Sequence, residues 1–295
     1  MVDNGAMTRF QTSWEIAKRS WAVLKSDKTL AWFPVLSFIG SVIVFAVFGG
    51  LVALAGMGSN DSLEPMGWVI IAFGYIALAF VQTYFLAALV AGADVRLRGG
   101  NSNVSAAMAV ANSRLHRLLP WAVVSATVSL ILNQLERQGI VGRIIASLIG
   151  LAWNLITFLT IPILVLEDVG VVDAFKRSGV LFKKTWGENV AGQAGLGIVG
   201  FVAAIPGIAL IAIGAGIGTV GLVLLGGIGV IWLIVSATVV AALSGIYRTA
   251  LYRFATSGEV PADFAGTDFQ AAFEPRREIG GSGGFGGGIG GFNKN

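Results

Sequence analysis

The chain has no cysteine and a single histidine, and each scarcity removes a class of chemistry. Without thiols there is no disulfide, thiolate nucleophile, iron–sulfur cluster or cysteine zinc site. His116, beside Arg114 and Arg117, has no second histidine with which to share a metal. Charge is scarce as well: 12% of 295 residues are Asp, Glu, Lys or Arg, against roughly 25% in soluble domains. With 55% hydrophobic residues and a mean hydropathy of +0.80, the composition is that of an integral membrane protein. No charged residue falls in the middle of an apolar run, where a proton relay, a coupling-ion site or an intramembrane protease would need one. No P-loop, H-E-x-x-H or G-x-S-x-G is present, and Gly195-Leu196-Gly197-Ile198-Val199-Gly200 lies in a membrane run with no preceding strand. The expectation is therefore a non-enzymatic protein with no catalytic residue, cofactor or metal.

What is present is a series of long apolar runs. Six are of spanning length, at about 30–56, 66–91, 119–135, 144–166, 190–213 and 222–247. The polar segments between them alternate in charge: 18 of the 20 Lys and Arg residues fall in the N-terminus, the second and fourth loops and the C-terminus. By the positive-inside rule this predicts a multi-pass protein of the cytoplasmic membrane with both termini in the cytoplasm. The net charge of +4 follows from those loops and needs no nucleic-acid partner. Pro162, inside the fourth run, should kink that helix or loosen its last turn.

The expected fold is all-α: a six-span domain over 30–253, in three hairpins each preceded by a cytoplasmic amphipathic helix. The first such helix ends the N-terminal segment 1–29. There Thr12 and Glu15 suggest a capping box, Trp14, Ala17, Trp21 and Leu24 form an apolar stripe, and Lys18, Arg19 and Lys25 lie off it. It suits either the membrane interface or the protein's own cytoplasmic face. Lys18-Arg19-Ser20 with Lys25 recurs as Lys176-Arg177-Ser178 with Lys183, each copy ahead of a pair of spans. The segment before the third span repeats the character, with a stripe through Val104, Met108, Ala111, Leu115 and Leu118.

The stretch Glu167–Asn189 holds the second copy and the densest charge. Glu167, Asp168 and Asp173 form a candidate polar site beside Pro162, or cap the next helix and pair with nearby cations. Lys18, Arg19, Lys25, Arg114, Arg117, Lys176, Arg177, Lys183 and Lys184 are candidate contacts for anionic lipid headgroups. Gly214 and Gly218 form a G-x-x-x-G, which suits close helix approach or a turn. The function expected is lipid interaction or scaffolding at the membrane. The alternative is a transporter or channel for a neutral or amphipathic solute, lined by Gln82, Tyr84, Asn133, Gln134 and Asn154. An enzyme acting on lipid through Glu167, Asp168 or Asp173 is a third reading.

After Arg253 the chain turns polar. Asp263-Phe264, Asp268-Phe269 and Phe273 within the tail 254–279 suit either a partly ordered tail or a short docking peptide for a partner, a second copy or the protein's own face. The run 280–295 is too rich in glycine and poor in apolar surface to order itself. Trp21 to Pro34, Pro162 to Asp168 (PILVLED), Ser178 to Glu188 and Tyr252 to Thr256 with Gly258 to Pro261 resemble an uncharacterised family of six-span membrane proteins of bacteria and archaea. A looser resemblance is to the membrane domain of some glycerophosphodiester phosphodiesterases. Both imply paired spans behind amphipathic helices, and neither implies a catalytic residue.

Overall fold

The structure is a computed structural model that describes residues 4–56, 65–186, 191–258 and 260–265. Among them there is no strand. That is the expected outcome for so apolar a chain, because within lipid every backbone N–H and C=O must be satisfied inside its own segment or in a closed barrel. The helices are α1 (Asn4–Ser26), α2 (Trp32–Gly56), α3 (Pro65–Leu97), α4 (Val104–Ser113), α5 (Leu115–Glu136), α6 (Gly139–Thr157), α7 (Thr160–Leu166), α8 (Val171–Trp186), α9 (Ala191–Ile217), the single turn α10 (Thr219–Gly221) and α11 (Gly227–Ser257). Six segments are long and apolar enough to cross a membrane: Lys28–Ala55, Pro65–Leu97, Leu115–Glu136, Gly139–Leu166, Leu196–Ile217 and Thr219–Ser257. The chain is thus an all-helical, multi-pass membrane protein. The large side chains left bare on these segments, among them Phe45, Leu54, Phe201 and Ile231, are those that lipid would cover.

Several helices outrun the apolar runs that announce them. The second continues through Asp94 to Leu97 and the sixth through Arg248 and Arg253 to Ser257, where Gly258, at φ +74°, ends it in the left-handed conformation. The stripe from Val104 to Leu118 is two helices, because Arg114 leaves helical geometry at φ −104°, ψ 6° between α4 and α5. The fourth span is two pieces: α6 stops at Thr157 and α7 resumes at Thr160. Pro162 explains the gap, since it has no N–H for the carbonyl of Phe158 and its ring crowds that carbonyl.

In the packing, α2 lies on α3, α5 on α6 and α3, and α9 on α11, while α11 also packs on α3. The α9–α11 contact runs through glycine, since a Cβ on Gly229 would lie 2.6 Å from the carbonyl oxygen of Gly207, and at the turn between α9 and α10 a Cβ on Gly214 would lie 2.7 Å from the carbonyl oxygen of Gly221. Gly218 makes the turn itself at φ +106°. The core concentrates at one end of the bundle, where Leu30, Phe33, Ala87 to Leu89, Ile161, Ile163 to Val165, Ile246, Tyr247, Ala250 and Leu251 are buried together. This end also carries the ion pairs and is called the charged face below.

Helix α1 packs against α9 and α11 at that face. Its buried side is Ile16, Ala17, Ser20, Val23 and Leu24, so the inward stripe is turned from the one read in sequence and Trp21 is exposed. Asp27 pins the helix end to the α3–α4 turn by accepting from the amides of Thr29 (3.0 Å) and Ser102 (2.8 Å). Phe264 is buried, and the turn Ala262–Phe264 packs on α1. The tail from 266 onward, with Asp268-Phe269, Phe273 and the run 280–295, lies outside the described residues, as do the turn 57–64, Glu188 and the side chains of Thr12, Trp14 and Lys184.

Candidate functional site

Five of the six spans bring polar side chains to one place. Helix α2 contributes Ser37 and Ser41, α3 Gln82 and Thr83, α5 Ser125 and Ser129, α6 Asn154 and Thr157, and α11 Thr238, Ser244 and Arg248. A spacing of four puts Ser37 with Ser41, Ser125 with Ser129 and Ser244 with Arg248 on one helix face, and a spacing of three does so for Asn154 and Thr157. Together with Phe33, Leu89, Trp121, Trp153 and Leu233 they line a cavity of about 890 Å³. On α11 the lining runs from Leu233 to Arg248, which at 1.5 Å per residue is a depth of roughly 22 Å. Trp121 stacks on Trp153 with ring centroids 5.9 Å apart, giving one wall a broad aromatic surface.

The hydroxyls are partly satisfied by their own helices. Ser41 donates to the carbonyl of Ser37 (2.8 Å), Ser129 to that of Ser125 (2.9 Å), Thr157 to that of Trp153 (2.7 Å) and Thr238 to that of Ile234 (2.7 Å). Gln82 joins α3 to α2, accepting from Ser37 at 3.2 Å and donating to Ser41 at 2.9 Å. A back-bonded hydroxyl still has lone pairs to offer. Among the described residues, the side chains of Ser125, Asn154 and Ser244 have no hydrogen-bond partner and keep their full capacity.

Arg248 closes the cavity toward the charged face. Its guanidinium carbon sits 4.5 Å from the centroid of the Phe158 ring, and its Nε is buried with no hydrogen-bond partner. Phe158 is at the break between α6 and α7, and Ser178 of α8 completes that break. The Ser178 hydroxyl donates to the carbonyl of Ile156 at 2.5 Å and accepts from the amide of Leu159 at 3.2 Å. The proline-induced gap is thereby held open at defined geometry, with the ring of Phe158 turned to the arginine.

The nearby carboxylates are already engaged. Asp94 holds Arg98 and Arg253, each at 2.8 Å, tying α3 to α11. Glu167 pairs with Arg177 at 2.7 Å and accepts from the Tyr252 hydroxyl at 2.8 Å. Asp168 pairs with Arg117 and with Arg114 at 3.0 Å, and these two cations, Arg117 foremost, hold its carboxyl below the usual aspartate value. Asp173 is exposed in the first turn of α8. Glu167, Asp168 and Asp173 therefore do not converge on one point. Of the basic candidates, Arg114, Arg117 and Arg177 are taken up in these pairs, while Lys18, Lys25, Lys176 and Lys183 are exposed and Arg19 is half-exposed on the outer surfaces of α1 and α8. His116 accepts at Nε2 from Arg117 (3.0 Å), and no cluster of three or more metal-ligating side chains occurs among the described residues.

Of the polar residues picked out in sequence as a solute path, Gln82 and Asn154 line the cavity. Tyr84 instead donates to Asn112 (2.8 Å), and Asn133 and Gln134 are exposed near the end of α5. Arg248 lies one residue past the sixth apolar run, 222–247, yet is inside α11. The signal for it was present, since Tyr247 and Thr249 to Tyr252 continue the helical pattern for more than a turn before Arg253.

A family model, described as "Family of unknown function (DUF6159)", matches residues 65–262, about two thirds of the chain, and takes in every cavity-lining span but the first. The chain belongs to this family. No curated protein and no solved structure matches it, so the looser likeness to the phosphodiesterase membrane domain has no support from these comparisons.

Proposed function

We propose that the chain is a non-enzymatic protein of the cytoplasmic membrane that takes up an amphipathic molecule, a lipid or lipid-like solute, in the cavity between its spans. One observation carries the reading: about 890 Å³ lined by hydroxyl, amide and guanidinium groups at membrane depth. Ligand sites are typically cavities of 300–1,000 Å³ with apolar walls and a few placed polar groups. Polar side chains facing an unfilled apolar gap would cost roughly 1–3 kcal/mol apiece by mutational measures, so an occupant able to hydrogen-bond them is favoured. Both termini are taken as cytoplasmic, from the distribution of 18 of the 20 basic residues. Transport of the same molecule is a second reading, favoured by the depth of the cavity, which at about 22 Å is most of the roughly 30 Å hydrocarbon core.

The test is native mass spectrometry of the gently extracted full chain beside its Ser125→Trp variant, in which an indole fills the cavity from α5. Wild-type protein should retain lipid or added amphiphile, and the variant should lose it. Equal retention by the two proteins would place the binding elsewhere and end the proposal. Flux of the bound species from sealed vesicles would separate transport from binding alone.

A further inference from the structure

We infer that the molecule taken up is an anionic amphiphile, its carboxylate or phosphate headgroup held by Arg248 and its alkyl chain laid along the Trp121–Trp153 wall. This rests on the cavity being a ligand site.

The first argument is charge balance around Arg248. The three carboxylates Asp94, Glu167 and Asp168 hold five guanidinium groups, those of Arg98, Arg253, Arg177, Arg114 and Arg117. No described carboxylate is within pairing distance of Arg248, which is the charged residue among the described lining of the cavity. The region is cationic, and the missing counter-charge is negative. An ionised side chain among membrane spans is costly, and where one is kept it faces a cavity or a partner and marks a ligand path.

The second argument is donor geometry. The ring of Phe158 attracts the face of the guanidinium, but it accepts none of the five N–H groups, whose planar fork matches a carboxylate or phosphate. Ser244 lies one turn before Arg248 on the same helix and also lines the cavity, with no described hydrogen-bond partner. Its hydroxyl and the guanidinium thus supply neighbouring free donors, as residues four apart are on a helix face. A neutral amide or alcohol would leave the charge unmatched.

The third argument is direction. Arg248 is at the charged-face end of the lining, with Phe33, Leu89 and Ile161, while Leu132, Gly150 and Leu233 are at the deeper end. A headgroup at the first end and a chain toward the second is the orientation of a lipid in one leaflet.

The experiment measures binding to the purified full chain in a neutral maltoside detergent by native mass spectrometry. The probes are dodecanoate, dodecyl phosphate, dodecanol and inorganic phosphate. Wild-type protein should bind dodecanoate or dodecyl phosphate at least about tenfold more tightly than dodecanol, the scale of a charge-assisted hydrogen-bonded pair. Inorganic phosphate should bind far more weakly than the alkyl forms, which separates a lipid headgroup from a free anion. In R248Q the preference should fall to about twofold or less with dodecanol binding kept, and R248K should keep part of it. Equal affinity for dodecanol and dodecanoate in the wild type, a judgement that needs no variant, would overturn the inference, as would an unchanged preference in R248Q. If Ser125→Trp leaves binding of every probe intact, the cavity reading itself fails. If that variant abolishes binding while R248Q changes nothing, only the anion assignment fails.

Discussion

The hydroxyl of Ser178 lies 2.5 Å from the carbonyl oxygen of Ile156, one helix bonding to the broken end of another. Ser20 holds the same place in the Lys-Arg-Ser motif of α1, is equally buried, and has no hydrogen-bond partner for its hydroxyl among the described residues. The two copies therefore make opposite predictions. Ser178→Ala should cost about 1–3 kcal/mol, because it leaves buried backbone groups unpaired at the α6–α7 break. Ser20→Ala removes only an orphaned hydroxyl and should be neutral or mildly stabilising. Thermal or denaturant unfolding in detergent checks both, and a loss of stability in Ser20→Ala as large as that in Ser178→Ala would contradict this account.

Close approach of α9 and α11 depends on particular glycines. Gly229→Val should separate the two helices, since its Cβ would lie 2.6 Å from the Gly207 carbonyl oxygen and 2.8 Å from Ile211 Cγ1. Overpacking of this kind costs about 1–3 kcal/mol. Gly227→Ala, two residues away and with nothing within 4 Å of its Cβ, should be tolerated. Comparing the melting temperatures of the two variants makes the test: Gly→Ala gains helix propensity inside a helix, so a loss in Gly227→Ala as large as that in Gly229→Val would contradict the contact account.

Acid should act on the charged face through Asp168 and Asp27. Asp168 is held below its ordinary value of 3.8 by Arg117 and Arg114. For Asp27, desolvation pushes its carboxyl up, but hydrogen bonds from Ser102 and Thr29 outweigh it and the net shift is downward. A carboxyl whose folded pKa is depressed contributes stability above its unfolded pKa and loses it as pH falls through the folded value. Stability should thus be flat above about pH 5 and decline through and below the ordinary value of 3.8. Asp168→Asn should flatten part of that decline. Melting curves from pH 2.5 to 6 would show it, and an acid limb unchanged in Asp168→Asn would remove Asp168 from the explanation.

The membrane class and the number of spans were legible in the sequence because burial in lipid is a property of each segment by itself: about 20 apolar residues cross the core whatever their neighbours are. The weak point of the fourth span was legible for the same local reason, as Pro162 lacks its N–H in any context. The cavity was not. Gln82 and Asn154 stand out as polar residues within their runs, but the hydroxyls of Ser37, Ser125 and Thr238 do not, and the five residues lie on five different helices. Only packing decides that they face one another. Arg248 makes the same point at one residue. In the sequence it is a basic residue after an apolar run, and the positive-inside rule assigns it to water. In the fold, α11 continues for about two and a half more turns, the carboxylates nearby are spent on other arginines, and Phe158 stands against it because Ser178 holds the break in the neighbouring span. Which residues enter the membrane was set by hydrophobicity along the chain; which polar groups meet inside it was set by helix contacts between residues far apart in sequence, which no local pattern records.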